Sequence, residues 1–140
     1  MHVITTTAEL GEVCARLSEQ PFVALDTEFL RETTFWPRLC LVQAAAGEVE
    51  ALIDPMADGL DLAPLLDLLR DPRVIKVFHA ARQDLEIFCK LLGGAMPTPI
   101  FDTQIAAMAL GYGEQVAYDS LVQGELRRAI DKSHRFTDWS

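Results

Sequence analysis

The chain has 140 residues, half of them apolar, enough for one domain with its own hydrophobic core and no need of disulfides or a structural metal. No apolar run approaches the roughly 18–20 residues of a membrane span, and the start lacks the basic, apolar, small-residue order of a secretion signal, so a cytoplasmic protein without a membrane partner is expected. The net charge of −9 argues against broad non-specific duplex binding, yet residues 1–69 hold 12 Asp and Glu against 3 Lys and Arg while residues 70–140 hold 9 against 9, so the acidity belongs to the N-terminal half.

In chain order, His2–Thr5 reads as a short strand. Thr6 or Thr7 caps a helix over Ala8–Ser18, with Leu10, Val13, Cys14 and Leu17 on one face. The apolar run from Phe22 forms a strand that ends at Asp26. Arg38–Ala44 is a second strand, and Gly47 turns the chain into Val49–Ile53, an antiparallel hairpin stopped by Asp54-Pro55. Leu62–Leu69 is a leucine-rich helix and Val74–Phe78 a buried strand. Ala80–Leu92 has helical spacing and ends at Gly93-Gly94. Asp102 is placed to cap a helix over Thr103–Leu110, and a last helix covers Ser120–Ala129. A β-meander followed by alternating helix and strand predicts an α/β domain, a mixed β-sheet flanked by helices. Cys14, Cys40 and Cys89 are scattered in apolar segments, as expected of buried free thiols in a reducing compartment.

Asp26 and Glu28 stand one residue apart at the end of an apolar run. Residues i and i+2 of a strand share a face, so two like charges meet and shift each other's pKa unless a cation compensates. Asp84 falls in the first turns of a helix that follows a buried strand, with apolar helical neighbours, and so faces the protein. A buried carboxylate needs a partner, although a helix-start residue held by the dipole accounts for Asp84 equally well. Glu86 lies round the helix and is expected to be solvated.

Leu25-Asp26-Thr27-Glu28-Phe29, with the stretch Arg31–Gln43 behind it, resembles the first exonuclease motif of the ribonuclease D family. His79-Ala80-Ala81-Arg82-Gln83-Asp84-Leu85-Glu86 resembles the second motif. Phe101-Asp102-Thr103-Gln104 and the Asp131-Lys132-Ser133 and Thr137-Asp138-Trp139 segments resemble further parts of these proteins. The resemblance implies a ribonuclease-H-like fold of the DnaQ exonuclease type, in which four acids hold two divalent metals and RNA is hydrolysed from its 3′ end to nucleoside 5′-monophosphates. It implies Asp26, Glu28 and Asp84 as catalytic and metal-binding residues, with Mg²⁺ or Mn²⁺ as the ions that suit hard oxygen ligands. It also implies an RNA 3′ end, such as that of a tRNA precursor, as partner, and substrate contacts are expected at Thr27, at Phe29 and Leu30 as a wedge against the terminal base, at His79 in its motif position and at Lys132 as a point charge for a phosphate.

The family's third motif, a tyrosine followed four residues later by aspartate, has no counterpart: Tyr112 is followed at that spacing by Val116 and Tyr118 by Val122. The chain is therefore expected to be an exonuclease domain truncated at its C-terminal end, weak or inactive as it stands, with a bared apolar sheet face that pairs with a second copy. Other readings remain beside it. His79 fits a structural role as well as a substrate edge, Phe29 and Leu30 fit core packing, and Asp102 fits a helix cap. Arg127, Arg128, Lys132 and Arg135 fit a solvated basic face, and Phe35-Trp36 an exposed aromatic loop. A catalytically dead binding or scaffold module and a DNA exonuclease are the alternative functions; an aspartyl phosphatase would need an aspartate at position 28.

Overall fold

The computed structural model describes residues 2–31 and 36–132. Eleven elements alternate in the described residues: β1 (Val3–Ile4), α1 (Thr7–Ser18), β2 (Phe22–Leu30), β3 (Arg38–Ala46), β4 (Val49–Ile53), α2 (Ala63–Arg70), β5 (Ile75–Phe78), α3 (Arg82–Leu91), β6 (Ile100–Asp102), α4 (Thr103–Ala109) and α5 (Tyr118–Leu126). The strands form one mixed sheet in the order β1-β4-β3-β2-β5-β6. The meander β2-β3-β4 is antiparallel, whereas β1 on β4, β5 on β2 and β6 on β5 are parallel. This is the expected α/β architecture, with β2 and β5 lying side by side.

Alternation along the strands decides which face is buried. Val23 and Leu25 of β2, Val42 and Ala44 of β3 and Ile53 of β4 pack with Leu10 and Leu17 of α1 and Leu65 and Leu69 of α2 in one core. Each such aliphatic side chain contributes about 1.5–3 kcal/mol over its exposed state. Phe78 of β5 meets Phe88 of α3 with ring centroids 6.1 Å apart. The opposite face is open: Val3, Phe22, Ile75 and Phe101 all remain exposed.

Several boundaries differ from the local reading, and each has a tertiary cause. β2 does not end at Asp26 but continues to Leu30, because Thr27 to Leu30 pair with β3. Its register shifts between Glu28 and Phe29, a bulge that re-aims the strand just past the acids. α3 begins at Arg82 because Ala80 takes a left-handed φ of 58°. α5 spans Tyr118–Leu126, not Ser120–Ala129, and stops at Arg127, also left-handed. β6 carries no alternating pattern of its own and is fixed only by pairing with β5. Thr6 caps α1 by accepting from the Glu9 N–H at 3.3 Å. Cys14 and Cys40 are buried free thiols as expected, while Cys89 is half-buried; burial pushes the Cys14 thiol up to about 12.

β5 hides a cation. Lys76 is fully buried and its Nζ donates to the carbonyls of Asp71, Val74 and Thr98, the last two at 2.8 and 2.9 Å. Three acceptors satisfy all three ammonium protons, which is what allows the charge inside. The lysine thereby ties the turn before β5 to the loop leading into β6.

Candidate active site

Asp26 and Glu28 project from β2 onto the open face of the sheet, and Asp26 lies in register with Gln43 of β3. Thr27 points the other way and is buried. Its hydroxyl donates to Asp84 Oδ1 at 2.5 Å, so one strand supplies two acids on one face and the brace for a third acid from its other face. Asp84, in the first turn of α3, is 93% withdrawn from solvent by its 7% residual exposure, and the Thr27 bond is the partner a buried carboxylate requires.

Burial raises all three acids, and a neighbouring carboxylate adds to the effect at Glu28 and Asp84. Asp26 is raised above the usual carboxylate range by burial at the rim of the cleft, offset by the Thr27 backbone N–H and by His79. Glu28 is raised by burial and then by the charges of Asp26 and Asp84. Asp84 is raised by burial and by Asp26, against the lowering effect of the Thr27 hydroxyl. Like charges that repel across a shared space favour a bound cation. The donor set fits a hard divalent ion, since every ligand is a carboxylate oxygen. The three do not by themselves make a closed cage: among the described residues no three His, Cys, Asp or Glu side chains are gathered closely enough to hold an ion.

A cavity of about 540 Å³ lies beside Asp26, lined by Gln43, Glu50, His79, Thr103 and Tyr118 among others. The substrate residues expected from the sequence divide here. Phe29 and Leu30 are half-buried on β2 beyond the bulge, next to the acids. Thr27 is buried and its hydroxyl is committed to Asp84. Both His79 ring nitrogens have protein partners, Nδ1 with the Thr103 hydroxyl at 2.8 Å and Nε2 with the Val116 carbonyl at 2.9 Å. Only the ring face is left, tilted against Tyr118 at 5.4 Å between centroids. Lys132 forms an ion pair with Asp119 of α5, away from the role of a lone phosphate-binding cation. Glu86 is not simply solvated but pairs with Arg31 at 3.1 Å. Lys90 stands over the exposed Trp36 ring, 5.1 Å from its centroid. Phe35, Ser133, Arg135, Thr137, Asp138 and Trp139 lie outside the described residues.

The local sequence missed the supporting set. Asp102 caps α4 through the Gln104 N–H at 2.8 Å, as its position predicts, but also accepts from the N–H groups of Ala80 and Ala81 at 3.0 and 2.8 Å. Gln104 Nε2 reaches the same Val116 carbonyl as His79. No spacing rule links residues more than twenty positions apart; only the Phe78–Asp102 pairing of β5 and β6 brings them together.

Comparison with known proteins agrees with this geometry. A family model described as 3′-5′ exonuclease matches residues 1–140. The chain is 57% identical over 140 residues to Ribonuclease D of Nitrobacter hamburgensis, covering 100% of this chain and 36% of that protein. It is 57% identical to Ribonuclease D of Jannaschia sp. over 143 residues, 99% of this chain and 37% of the relative. The crystal structure of Escherichia coli RNase D, described as an exoribonuclease involved in structured RNA processing, superposes with a TM-score of 0.91 at 40% identity, over 99% of this chain and 36% of that one. The chain thus spans little more than a third of the length of these relatives. With a family model matched from end to end, the chain belongs to the 3′-5′ exonuclease family.

Proposed function

We propose that this domain hydrolyses RNA from the 3′ end and releases nucleoside 5′-monophosphates, with Asp26, Glu28 and Asp84 holding Mg²⁺ or Mn²⁺. The observation that supports the reading is geometric: Asp26 and Glu28 share one face of β2, and the hydroxyl of Thr27 between them holds Asp84 of α3 at 2.5 Å. When bound, the metal supplies a water of lowered pKa and charge stabilisation for the leaving 3′-oxygen. The protein's own part is positional. The β2 backbone fixes Asp26 and Glu28 on one face, the Thr27 hydroxyl orients Asp84, and the half-buried Phe29 and Leu30 offer apolar surface to the terminal base. Structured RNAs such as tRNA precursors, in a reducing cytoplasm, are the proposed setting; the three free thiols support the latter.

The test is release of 5′-mononucleotides from 3′-labelled RNA in Mg²⁺ or Mn²⁺, run on this chain and on the same segment within its whole protein. Metal-dependent release by the whole protein that disappears in Asp26→Ala is expected; equal release by that variant sinks the proposal. A labelled DNA strand of the same sequence distinguishes a DNA exonuclease. The second reading is a binding module without turnover, favoured by the lack, among the described residues, of three His, Cys, Asp or Glu side chains gathered closely enough to hold an ion. Calorimetric titration with Mn²⁺ separates them: one weak site and no release supports the module. By either reading the exposed Val3, Phe22, Ile75 and Phe101 make the open sheet face a surface for a second copy. Sedimentation at rising concentration tests this, and a monomer throughout refutes it.

A further inference from the structure

We infer that Asp102 is a positioning residue for the acid group, clamping the turn between β5 and α3 and so setting where Asp84 stands; this rests on reading the three carboxylates as a metal-binding centre. The connection from Phe78 to Arg82 is only His79-Ala80-Ala81. Ala80 has φ 58°, a conformation that costs a non-glycine residue energy and persists only where its surroundings hold it. α3 has no side-chain cap of its own, since its N-cap is Ala81, so its first N–H groups must find acceptors elsewhere. The Asp102 carboxylate takes the N–H of the N-cap Ala81 and that of Ala80 just before it. Oδ1 accepts from Ala80 at 3.0 Å and Oδ2 from Ala81 at 2.8 Å, while Oδ1 also takes the Gln104 N–H.

One carboxylate therefore caps α4 and holds the entry to α3. From that entry the link is short: Leu85 N–H bonds to the Ala81 carbonyl at 2.8 Å, and Asp84, beside Leu85, meets Thr27 at 2.5 Å. His79, at the start of the same turn, is fixed on both nitrogens by Thr103 and Val116, and the Thr103 hydroxyl donates to the Phe78 carbonyl at 3.1 Å. The turn is thus held at its entry and along its length, and Asp102 bonds to the strained residue itself. A helix cap alone would call for Asp, Ser, Thr or Asn at position 102; satisfying three N–H groups at once calls for a carboxylate.

The experiment uses this 140-residue chain with Mn²⁺ alone as probe, in Asp102→Ala, Asp102→Asn and Asp102→Ala combined with Ala80→Gly. Amide exchange by NMR is expected to rise about tenfold or more at Ala80 and Ala81 in Asp102→Ala and not in the β2–β3 ladder. Mn²⁺ affinity should fall about 10–100-fold, as when a group orienting a ligand is lost. Asp102→Asn should recover part of it, and so should Ala80→Gly, because glycine takes the left-handed turn without being held. A general loss of structure would not be repaired by that glycine. Unchanged exchange at Ala80 and Ala81, or faster exchange with Mn²⁺ affinity intact, overturns the inference. If the wild-type chain binds no Mn²⁺, the metal reading itself fails. The Asp84 carboxyl ¹³C resonance then decides the inference: displaced in Asp102→Ala and returned by Ala80→Gly it stands, unmoved it falls. If Asp102→Ala does not fold, Asp102→Asn compared with its Ala80→Gly double variant carries the same readings.

Discussion

Thr27→Val is the sharpest probe of the candidate site, because valine keeps the β-branch and nearly the volume of threonine while deleting one hydroxyl. In the wild type that hydroxyl donates to Asp84 Oδ1 at 2.5 Å inside the protein. A buried hydrogen bond to a charged group contributes about 1.5–3 kcal/mol, so a loss of about 2 kcal/mol and a fall in Tm of about 6–8 °C are expected. The sign with pH follows from the cause. The hydroxyl lowers the Asp84 pKa against burial and Asp26, which raise it. Its stabilisation is therefore full where Asp84 is ionised and is lost as pH falls through the folded pKa. Urea unfolding at about pH 8 and about pH 4 should show the gap between wild type and variant shrinking on acidification. A double-mutant cycle with Asp84→Asn should give a coupling of about 1–2 kcal/mol. A variant within about 0.5 kcal/mol of wild type at about pH 8, or no coupling in the cycle, would refute the assignment of Thr27 as the brace of Asp84.

Three further outcomes are expected. Asp26→Asn with Glu28→Gln should make the metal-free protein more stable near neutral pH. Both pKa values are raised in the fold, so their contribution is greatest below the unfolded values and is lost as pH rises through the folded ones; urea midpoints against pH, with and without Mn²⁺, check this. Lys76→Met leaves the Asp71, Val74 and Thr98 carbonyls without their donor; at about 1–3 kcal/mol for each buried unsatisfied group, less what the methionine regains by packing, about 3 kcal/mol of stability should be lost in denaturant titration. Gly124→Ala should gain none of the roughly 1 kcal/mol that the higher helix propensity of alanine offers at an exposed helix position. The new Cβ would stand 2.5 Å from the Tyr112 hydroxyl oxygen and 2.9 Å from the ring, so Tyr112 has to swing off its bond to Glu125, a loss of about 1 kcal/mol that cancels the gain; a thermal melt more stable than wild type would contradict it.

Much of the fold and part of the site were legible in local pattern. The amphipathic spacing of Leu10, Val13, Cys14 and Leu17 and the Thr6 cap placed α1. Gly47 with alternating neighbours placed the β3–β4 hairpin, and period two put Asp26 and Glu28 on one face. The motifs around Asp26, Glu28 and Asp84 pointed to the family that the comparisons show. Local pattern failed where a partner strand or a distant side chain decides the outcome. β2 outruns its apolar core because β3 pairs with it to Leu30. β6 is three residues with no period. The helix predicted from Ala80 starts two residues late because Ala80 is held left-handed. The protein partners of Thr27, His79 and Lys132, which are Asp84, Thr103, Val116 and Asp119, lie too far along the chain for local pattern to reveal.

The sequence by itself determined the inventory of acids, the face shared by Asp26 and Glu28 and the helix start that carries Asp84, because periodicity and capping act over a few residues. Only the tertiary structure decided that Thr27 braces Asp84 across 57 positions, that Lys76 is a buried strut and that Asp102 serves two helices at once. Those pairings depend on which strands lie side by side, and strand order is settled by burial of the whole sheet face, not by any short stretch of chain.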